Sequence, residues 1–244
     1  VIPDVQIPAT DADIKSQNGT PTVLYNGMLH PIVGYGIRGA IWYQGESNRD
    51  EPARYVELFD KMVREWRTIW EVGEFPFYYC QIAPFNYGGG LNSGFIREAQ
   101  AKGMKTTPNT GMAVLMDSDC IHPPKKKIAG ERMALWALAK TYGMNKMHYR
   151  SPEVQSLTVE GRVAILTMDI SSSPGLTSHG KEILQFQIAG DNKWFHPAKA
   201  AIAGNRIFVF SPNVEKPVAV RYCFNDTEAT EIFTVEGNLP LSSF

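Results

Sequence analysis

The chain has 244 residues with 24 basic and 25 acidic side chains, which gives a net charge of −1. At 43% hydrophobic and 20% charged residues, the composition is typical of a globular protein. The charge balance argues against a general nucleic-acid binder, which needs a basic surplus, and no apolar run approaches the roughly 18–20 residues that a membrane span requires.

The first half of the chain, through about residue 147, alternates strand-like runs with helical patterns and predicts an α/β sheet. The run GAIWY at 39–43 is a short apolar strand of the kind that is covered on both faces. Residues 51–70 carry apolar side chains at steps of three and four, with Pro52 near the start, and predict an amphipathic helix. The other predicted elements here are a strand at 75–82, a glycine-rich loop at 86–94, a helix beginning within 95–104, a strand at 111–116 and a helix at 125–142.

From about residue 150 the helical patterns stop and strand-like runs follow one another. Gly204 and Asn205 form a two-residue hairpin signal between two of these runs. We therefore assign 1–147 to an α/β domain and 148–244 to a β-rich C-terminal domain, which we expect to be a small all-β sandwich. The strand-like runs lie at 156–169, 184–190, 200–211 and 218–225.

Polar stretches follow two of the α/β strands, at 44–50 and 117–124, where ligands bind in open α/β sheets. Within the second stretch Asp119 and His122 are three residues apart, so the carboxylate can orient the imidazole as in a Ser-His-Asp system. A histidine that only caps the following helix is an open alternative. A metal site built from Asp117, Asp119 and His122 is disfavoured, because no second histidine or acid cluster stands near in sequence.

Four segments stand out in chain order: LYNGMLHP at 24–31, WYQGES at 42–47, REAQ at 97–100 and DCIHPPKKKIAGERMA at 119–134. The β-rich half adds FQIAGDNKWFHPAKA and VRYCFND. Together these segments resemble the sialate O-acetylesterase group of the SGNH-type carbohydrate esterases. The resemblance implies part of a flavodoxin-like, three-layer α/β/α sheet, followed by the β-rich domain.

The resemblance also implies roles for individual residues. Asp119 and His122 correspond to the catalytic pair. Gln44 and Gly45 correspond to donors of the oxyanion hole and to substrate contacts, with Glu46 as a local orienting group. In this family the nucleophile is the serine of a GQSN element further upstream, so Ser47 is not expected to be the nucleophile.

Neither GQSN nor G-x-S-x-G occurs in the 244 residues. We therefore expect this chain to be the C-terminal part of a longer esterase, inactive by itself, with the missing N-terminal part of the same protein as its partner. In the family's sheet the first strand lies beside the strand at 39–43. Without it, that strand becomes an apolar edge that favours self-association.

The function implied by the family is removal of O-acetyl groups from sialic acid by a serine esterase. Acetylated xylan or another glycan is the alternative substrate, because substrate choice depends on loops rather than on the fold. A non-catalytic sugar-binding or structural fragment is the alternative of a different class. No metal or organic cofactor is required, no nucleic-acid or membrane partner is expected, and the family resemblance suggests an extracytoplasmic location, periplasmic or secreted.

Several residues keep two interpretations at this point. Lysines 125–127 could attract an acidic sugar, although a solvated first helical turn is favoured. Trp42, Tyr43 and the loop at 84–94 could line a sugar site, although buried aromatics are commoner on strands. Arg97 and Gln100 could lie near the site or on a helix surface, and Cys120 is interpreted as a small packed residue.

Overall fold

A computed structural model of the chain describes residues 20, 22–118, 120, 125–144, 146–172 and 174–244. Three parallel strands form the sheet of the first half, in the order β1-β2-β3. Helices follow the strands, as the alternating pattern predicted. These elements are β1 (Ala40–Tyr43), α1 (Pro52–Trp70), β2 (Phe77–Cys80), α2 (Ser93–Thr106), β3 (Thr110–Ala113) and α3 (Lys126–Trp136), which continues as a π-helical turn over Ala137–Thr141.

Helix α1 forms where the apolar periodicity predicted it. Pro52 occupies its first turn, where a missing N–H costs nothing. The helix ends where Glu71 adopts a left-handed conformation and donates its N–H to the Arg67 carbonyl. Its buried face, which includes Phe59 and Val63, packs against α2 and the sheet.

Strand β1 is an edge strand, and one of its faces is open. Ile41 is 69% exposed, whereas Trp42 on the other face packs edge-to-face against Trp66 of α1. The prediction of a strand covered on both faces is therefore wrong for β1. It holds for the central strand β2, whose residues are all buried.

The second half contains a six-stranded antiparallel sheet and a separate two-stranded pairing among the described residues. Gly204 takes a positive φ of 62° in the hairpin that the Gly-Asn pair predicted. The predicted strand content is present, but this pairing does not by itself establish a two-layer sandwich. The strands are β4 (Val154–Glu160), β5 (Val163–Met168), β6 (Leu176–Thr177), β7 (Phe186–Ala189), β8 (His196–Ala203), β9 (Arg206–Phe210), β10 (Ala219–Tyr222) and β11 (Phe233–Thr234), and the larger sheet has the order β10-β7-β8-β9-β5-β4.

The last residues of the chain return to the α/β half. The Thr230 N–H donates to the Met116 carbonyl at 2.8 Å, and the Gln81 side chain donates to the Ser242 hydroxyl at 2.8 Å. One buried apolar cluster contains side chains from both halves. The division near residue 147 remains a prediction. No described helix has the length and apolar character needed to cross a membrane.

Candidate active site

The carboxyl ends of β1, β2 and β3 lie along one edge of the sheet because the three strands are parallel. The segments that follow them are 44–48, 81–92 and 114–118. Open α/β sheets bind their ligands at this edge. The oxyanion residues predicted from the sequence therefore lie where a ligand site is expected.

The segment after β1 is a tight turn that only glycine fits at position 45. Gly45 is buried and has a φ of +154°, outside the range that L side chains adopt readily. A Cβ there would lie 2.8 Å from Gln100 Nε2 and 3.0 Å from Ile82 Cγ2. A short 3₁₀ helix, Glu46–Asn48, follows directly, and the Asn48 N–H donates to the Gly45 carbonyl at 3.0 Å.

Gln100 fixes this turn through hydrogen bonds from its side chain. It is fully buried, its Nε2 donates to the Gln44 carbonyl at 3.2 Å, and its Oε1 accepts from the Ile82 N–H at 3.0 Å. The Tyr55 hydroxyl donates to the same Gln44 carbonyl at 3.3 Å. In a trans peptide the C=O and the next N–H point in opposite directions. The Gly45 N–H therefore points away from Gln100, and it donates to none of the described residues.

The Gln44 side chain offers a second donor in the same turn. Its Nε2 donates to Asn48 Oδ1 at 2.6 Å. A primary amide carries two N–H groups, so one remains available to another acceptor. The turn thus carries two N–H groups, one of the backbone and one of a side chain, that are of the kind able to stabilise a negative oxygen.

Glu46 and two tyrosines surround the turn. Burial, and next the Glu46 carboxylate, raise the pKa of the Tyr43 and Tyr87 hydroxyls, so both stay neutral. Arg49 stacks over the Tyr87 ring at 4.3 Å and donates from Nε to the Glu46 carbonyl at 3.1 Å. These contacts fix the loop after β2 against the turn after β1.

Asp117, just after β3, is committed to an ion pair. Its two carboxylate oxygens accept from two nitrogens of Arg132 at 2.7 Å each, and Arg132 also donates to the Val114 carbonyl at 2.8 Å. A bidentate pair of this kind leaves little capacity for a metal ion. This geometry weakens the metal alternative that included Asp117.

Asp119 and His122 lie outside the described residues, so their predicted pairing stays a prediction. The residues on either side are described. Ser118 donates its N–H to the Leu115 carbonyl at 3.0 Å, directly after β3. On the far side, Lys126 Nζ lies 4.8 Å from the centroid of the Tyr43 ring. Of the described residues that flank the predicted pair, Ser118 therefore contacts the residues just after β3, and Lys126 contacts the ring of Tyr43, which precedes Gln44.

The lysines at 125–127 are exposed, as expected for a solvated first turn. Lys127 pairs with Glu131 one turn later at 3.6 Å. Nothing in their contacts favours binding of an acidic sugar at this helix start.

The cysteines have different environments. Cys80 and Cys223 are fully buried, and burial raises the pKa of the Cys80 thiol to about 12. Cys120 is half-buried, and its interpretation as a small packed residue stays a prediction. Within the described ranges, no three His, Cys, Asp or Glu side chains are grouped so as to hold a metal ion.

Arg97 is completely buried, so the helix-surface interpretation of Arg97, and of Gln100 on the same face, is wrong. Its guanidinium donates to the carbonyls of Cys223 and Asn225 and to the Ser243 hydroxyl. Burial lowers the pKa of Arg97 to about 10. The residue ties α2 to the β-rich half, a role that sequence periodicity did not reveal because a charged residue on a helix normally indicates its exposed face.

The chain matches one protein-family model over residues 12–137, described as carbohydrate esterase, sialic acid-specific acetylesterase. It is 27% identical to mouse sialate O-acetylesterase over 229 residues and 26% identical to the human protein over 197 residues. Its fold is similar to the crystal structure of a carbohydrate acetylesterase from Xanthomonas citri, with a TM-score of 0.84 and 36% sequence identity.

The matches cover most of this chain but only part of the relatives. The mouse alignment spans 83% of this chain and 42% of the mouse protein, and the human alignment spans 71% and 38%. The Xanthomonas comparison covers 96% of this chain and 55% of that structure. The chain thus spans about half the length of these proteins or less.

Proposed function

The chain belongs to the carbohydrate esterase family of sialic acid-specific acetylesterases, and on this basis we propose that it takes part in removing O-acetyl groups from carbohydrate. The geometry that supports this proposal best is the Gln44–Gly45 peptide. Gln100 and Tyr55 hold its carbonyl, which directs the Gly45 N–H away from them. A fixed donor at the carboxyl edge of the sheet suits acyl transfer, whose intermediate carries a negative oxygen.

The proposed reaction runs through an acetyl-enzyme. A serine hydroxyl attacks the acetyl carbonyl while His122 takes its proton, and Asp119 orients the imidazole. The Gly45 N–H and the free Gln44 amide N–H stabilise the resulting oxyanion, each by about 3 kcal/mol for a well-placed donor. His122 then returns the proton to the departing sugar hydroxyl, and water repeats the sequence to release acetate.

The serine is proposed to come from outside these 244 residues, because no GQSN or G-x-S-x-G element occurs in them. Ser47 is exposed, and its hydroxyl forms no hydrogen bond with the described residues. The lack of such a serine element in these 244 residues also favours the second candidate function, in which the chain is a non-catalytic sugar-binding or structural part of a protein. The two candidates differ in whether activity appears once a serine-bearing segment is supplied.

The position of β1 as an apolar edge strand fits this requirement for a partner segment. Ile41 is 69% exposed on an edge strand, and the preceding segment exposes Met28, Ile32 and Tyr35. An apolar strand edge favours pairing with another strand. We propose the N-terminal part of the same protein as the natural occupant, with self-association of the chain when that part is absent.

Sialic acid is the proposed sugar, because the mouse and human relatives are named sialate O-acetylesterases. Acetylated xylan or another glycan is the alternative, since the Xanthomonas relative is described only as a carbohydrate acetylesterase. An extracytoplasmic location, periplasmic or secreted, remains part of this proposal and rests on the family alone.

The test compares the chain alone with a fusion to the part of the Xanthomonas relative that this chain does not cover. Release of 4-nitrophenol from 4-nitrophenyl acetate and of acetate from 9-O-acetyl sialic acid are measured for both. The proposal expects no turnover by the chain alone and turnover by the folded fusion that is lost on His122→Ala. A folded but inactive fusion supports the non-catalytic candidate. Turnover by the chain alone that depends on His122 contradicts an external nucleophile and makes Ser47 the first residue to test.

A further inference from the structure

Arg221, on β10 of the β-rich half, has a guanidinium group enclosed by aromatic rings. Its Cζ lies 4.0 Å from the centroid of Phe195, 4.4 Å from that of Phe224 and 5.8 Å from that of Phe95. Phe224 itself packs edge-to-face on Phe95 at 4.9 Å. Rings within about 6 Å attract a guanidinium through cation–π contacts. Three such rings restrict the orientation of the Arg221 head group.

The same guanidinium has no hydrogen-bond acceptor within the described part of the chain. It forms no ion pair with any described carboxylate and donates to no described carbonyl or hydroxyl. Arg132, by contrast, pairs with Asp117 through two hydrogen bonds, and Arg97 donates to two carbonyls. Arg221 is half-buried, and none of its guanidinium nitrogens is fully enclosed, so its N–H groups keep access to solvent. An oriented guanidinium with free donors is prepared for a planar, bidentate acceptor.

One of the three rings also offers apolar surface to solvent, because Phe95 is 44% exposed. Trp194, which precedes Phe195 in the sequence, is 73% exposed. The backbone N–H of Trp194 donates to Asn192 Oδ1 at 3.0 Å, and this hydrogen bond orders the turn that carries the indole side chain. Aromatic side chains with an exposed apolar surface suit the C–H faces of a sugar ring.

The position of the cluster connects it to the candidate active site. Phe95 lies in the first turn of α2, the helix that carries Gln100 beneath the Gln44–Gly45 turn. Gln100 lies five positions after Phe95, which corresponds to ~7.5 Å along a helix axis. A ligand bound at Arg221 therefore lies near the N-terminal end of α2, and α2 begins at the carboxyl edge of the sheet.

We propose that Arg221 binds the carboxylate of an acidic sugar, and that Phe95 and Trp194 contact the sugar ring. This inference rests on the proposed function and deepens it, because it assigns one residue of the β-rich half to recognition of the sugar's carboxylate. The two oxygens of a carboxylate match the two parallel N–H groups of a guanidinium edge. A neutral acetylated xylan lacks that group.

Binding to the purified chain tests the inference without any need for turnover. The probes are the 2-O-methyl glycoside of N-acetylneuraminic acid and its methyl ester, titrated while the chain's NMR spectrum is recorded. The inference expects saturable binding of the acid and at least tenfold weaker binding of the ester, which lacks the charge. Equal binding of both probes, or no saturable binding of the acid, overturns the inference. Neither result requires a variant of the protein.

Variants assign the site. Arg221→Gln is expected to weaken binding of the acid at least tenfold, and Arg221→Lys is expected to restore only part of it. Arg206→Gln is the matched control, because Arg206 also lies on a strand of the same sheet, 5.4 Å from a single ring, Phe208. Loss of binding in Arg206→Gln to the same extent as in Arg221→Gln overturns the assignment. Displacement of the sugar acid by inorganic phosphate at equal concentration also overturns the assignment, because the site is then a general anion site.

The outcome is distinguishable from that of the proposed function. Binding that depends on Arg221 supports the inference even if the fused protein releases no acetate. Esterase activity of the fusion together with unchanged binding by Arg221→Gln overturns this inference and leaves the proposed function standing.

Discussion

Replacement of Gly45 by alanine tests the turn that presents the two candidate oxyanion donors. A φ of +154° is unfavourable for any L side chain, and strain of this kind costs about 1–3 kcal/mol. The new Cβ also meets Gln100 Nε2 at 2.8 Å and Ile82 Cγ2 at 3.0 Å. Both neighbours are fully buried, and overpacking of such a site costs about 1–3 kcal/mol. We expect Gly45→Ala to lower the free energy of unfolding by about 2–6 kcal/mol, the sum of the two costs.

Urea unfolding followed by tryptophan fluorescence measures this loss, because Trp42 of β1 packs against Trp66 of α1. Gly130→Ala is the matched control. Gly130 lies on the exposed side of α3, and no atom lies within 4 Å of the position that an added methyl group would take. Alanine there should leave stability unchanged or raise it by about 0.5–1 kcal/mol. The tight turn is refuted if the free energy of unfolding of Gly45→Ala is within about 0.5 kcal/mol of that of the unaltered chain, because this difference is below the usual cost of overpacking.

Three further predictions follow from buried or paired groups. Gln100→Met, of similar volume, leaves buried polar groups of the turn unpaired and should cost about 1–3 kcal/mol in urea unfolding, whereas Gln155→Met on an exposed strand position should change little. The half-buried Cys120 should react with a thiol reagent at pH 8 before the two fully buried cysteines, which should react only after unfolding; a buried cysteine that reacts as fast as Cys120 contradicts this. Hydrogen bonding from Ser171 lowers the pKa of Asp169. The ionised Asp169 carboxylate therefore stabilises the fold at pH values above its pKa in the unfolded chain, and this stabilisation is lost as the pH falls through its lower pKa in the folded chain. The stability difference between the unaltered chain and Asp169→Asn should therefore shrink from pH 7 to pH 3, and an unchanged difference argues against that pairing.

Much of the fold could be predicted because its signals are local. The 3.6-residue periodicity of 51–70 and the Gly204-Asn205 hairpin specify α1 and the β8–β9 turn without knowledge of the rest of the chain. The short apolar run of β1 was different. Whether both faces of a strand are covered depends on which strands lie beside it, and sequence letters do not state that.

The contacts of two buried residues of α2 escaped prediction for a related reason. Arg97 and Gln100 are polar residues on the buried face of α2, where periodicity expects apolar ones. Their partners are carbonyls that are distant in sequence, such as those of Cys223 and Gln44. Only the family resemblance drew attention to these two positions, and only the structure assigns their contacts.

The most direct test of the central claim is kcat/KM for 4-nitrophenyl acetate of the folded fusion protein, with and without His122→Ala. A family serine esterase that uses His122 as its base predicts a drop of about a thousandfold or more, as for loss of a triad member. A drop of less than about tenfold, with the fold intact, contradicts the assignment of this chain as the part of a carbohydrate esterase that supplies the catalytic base.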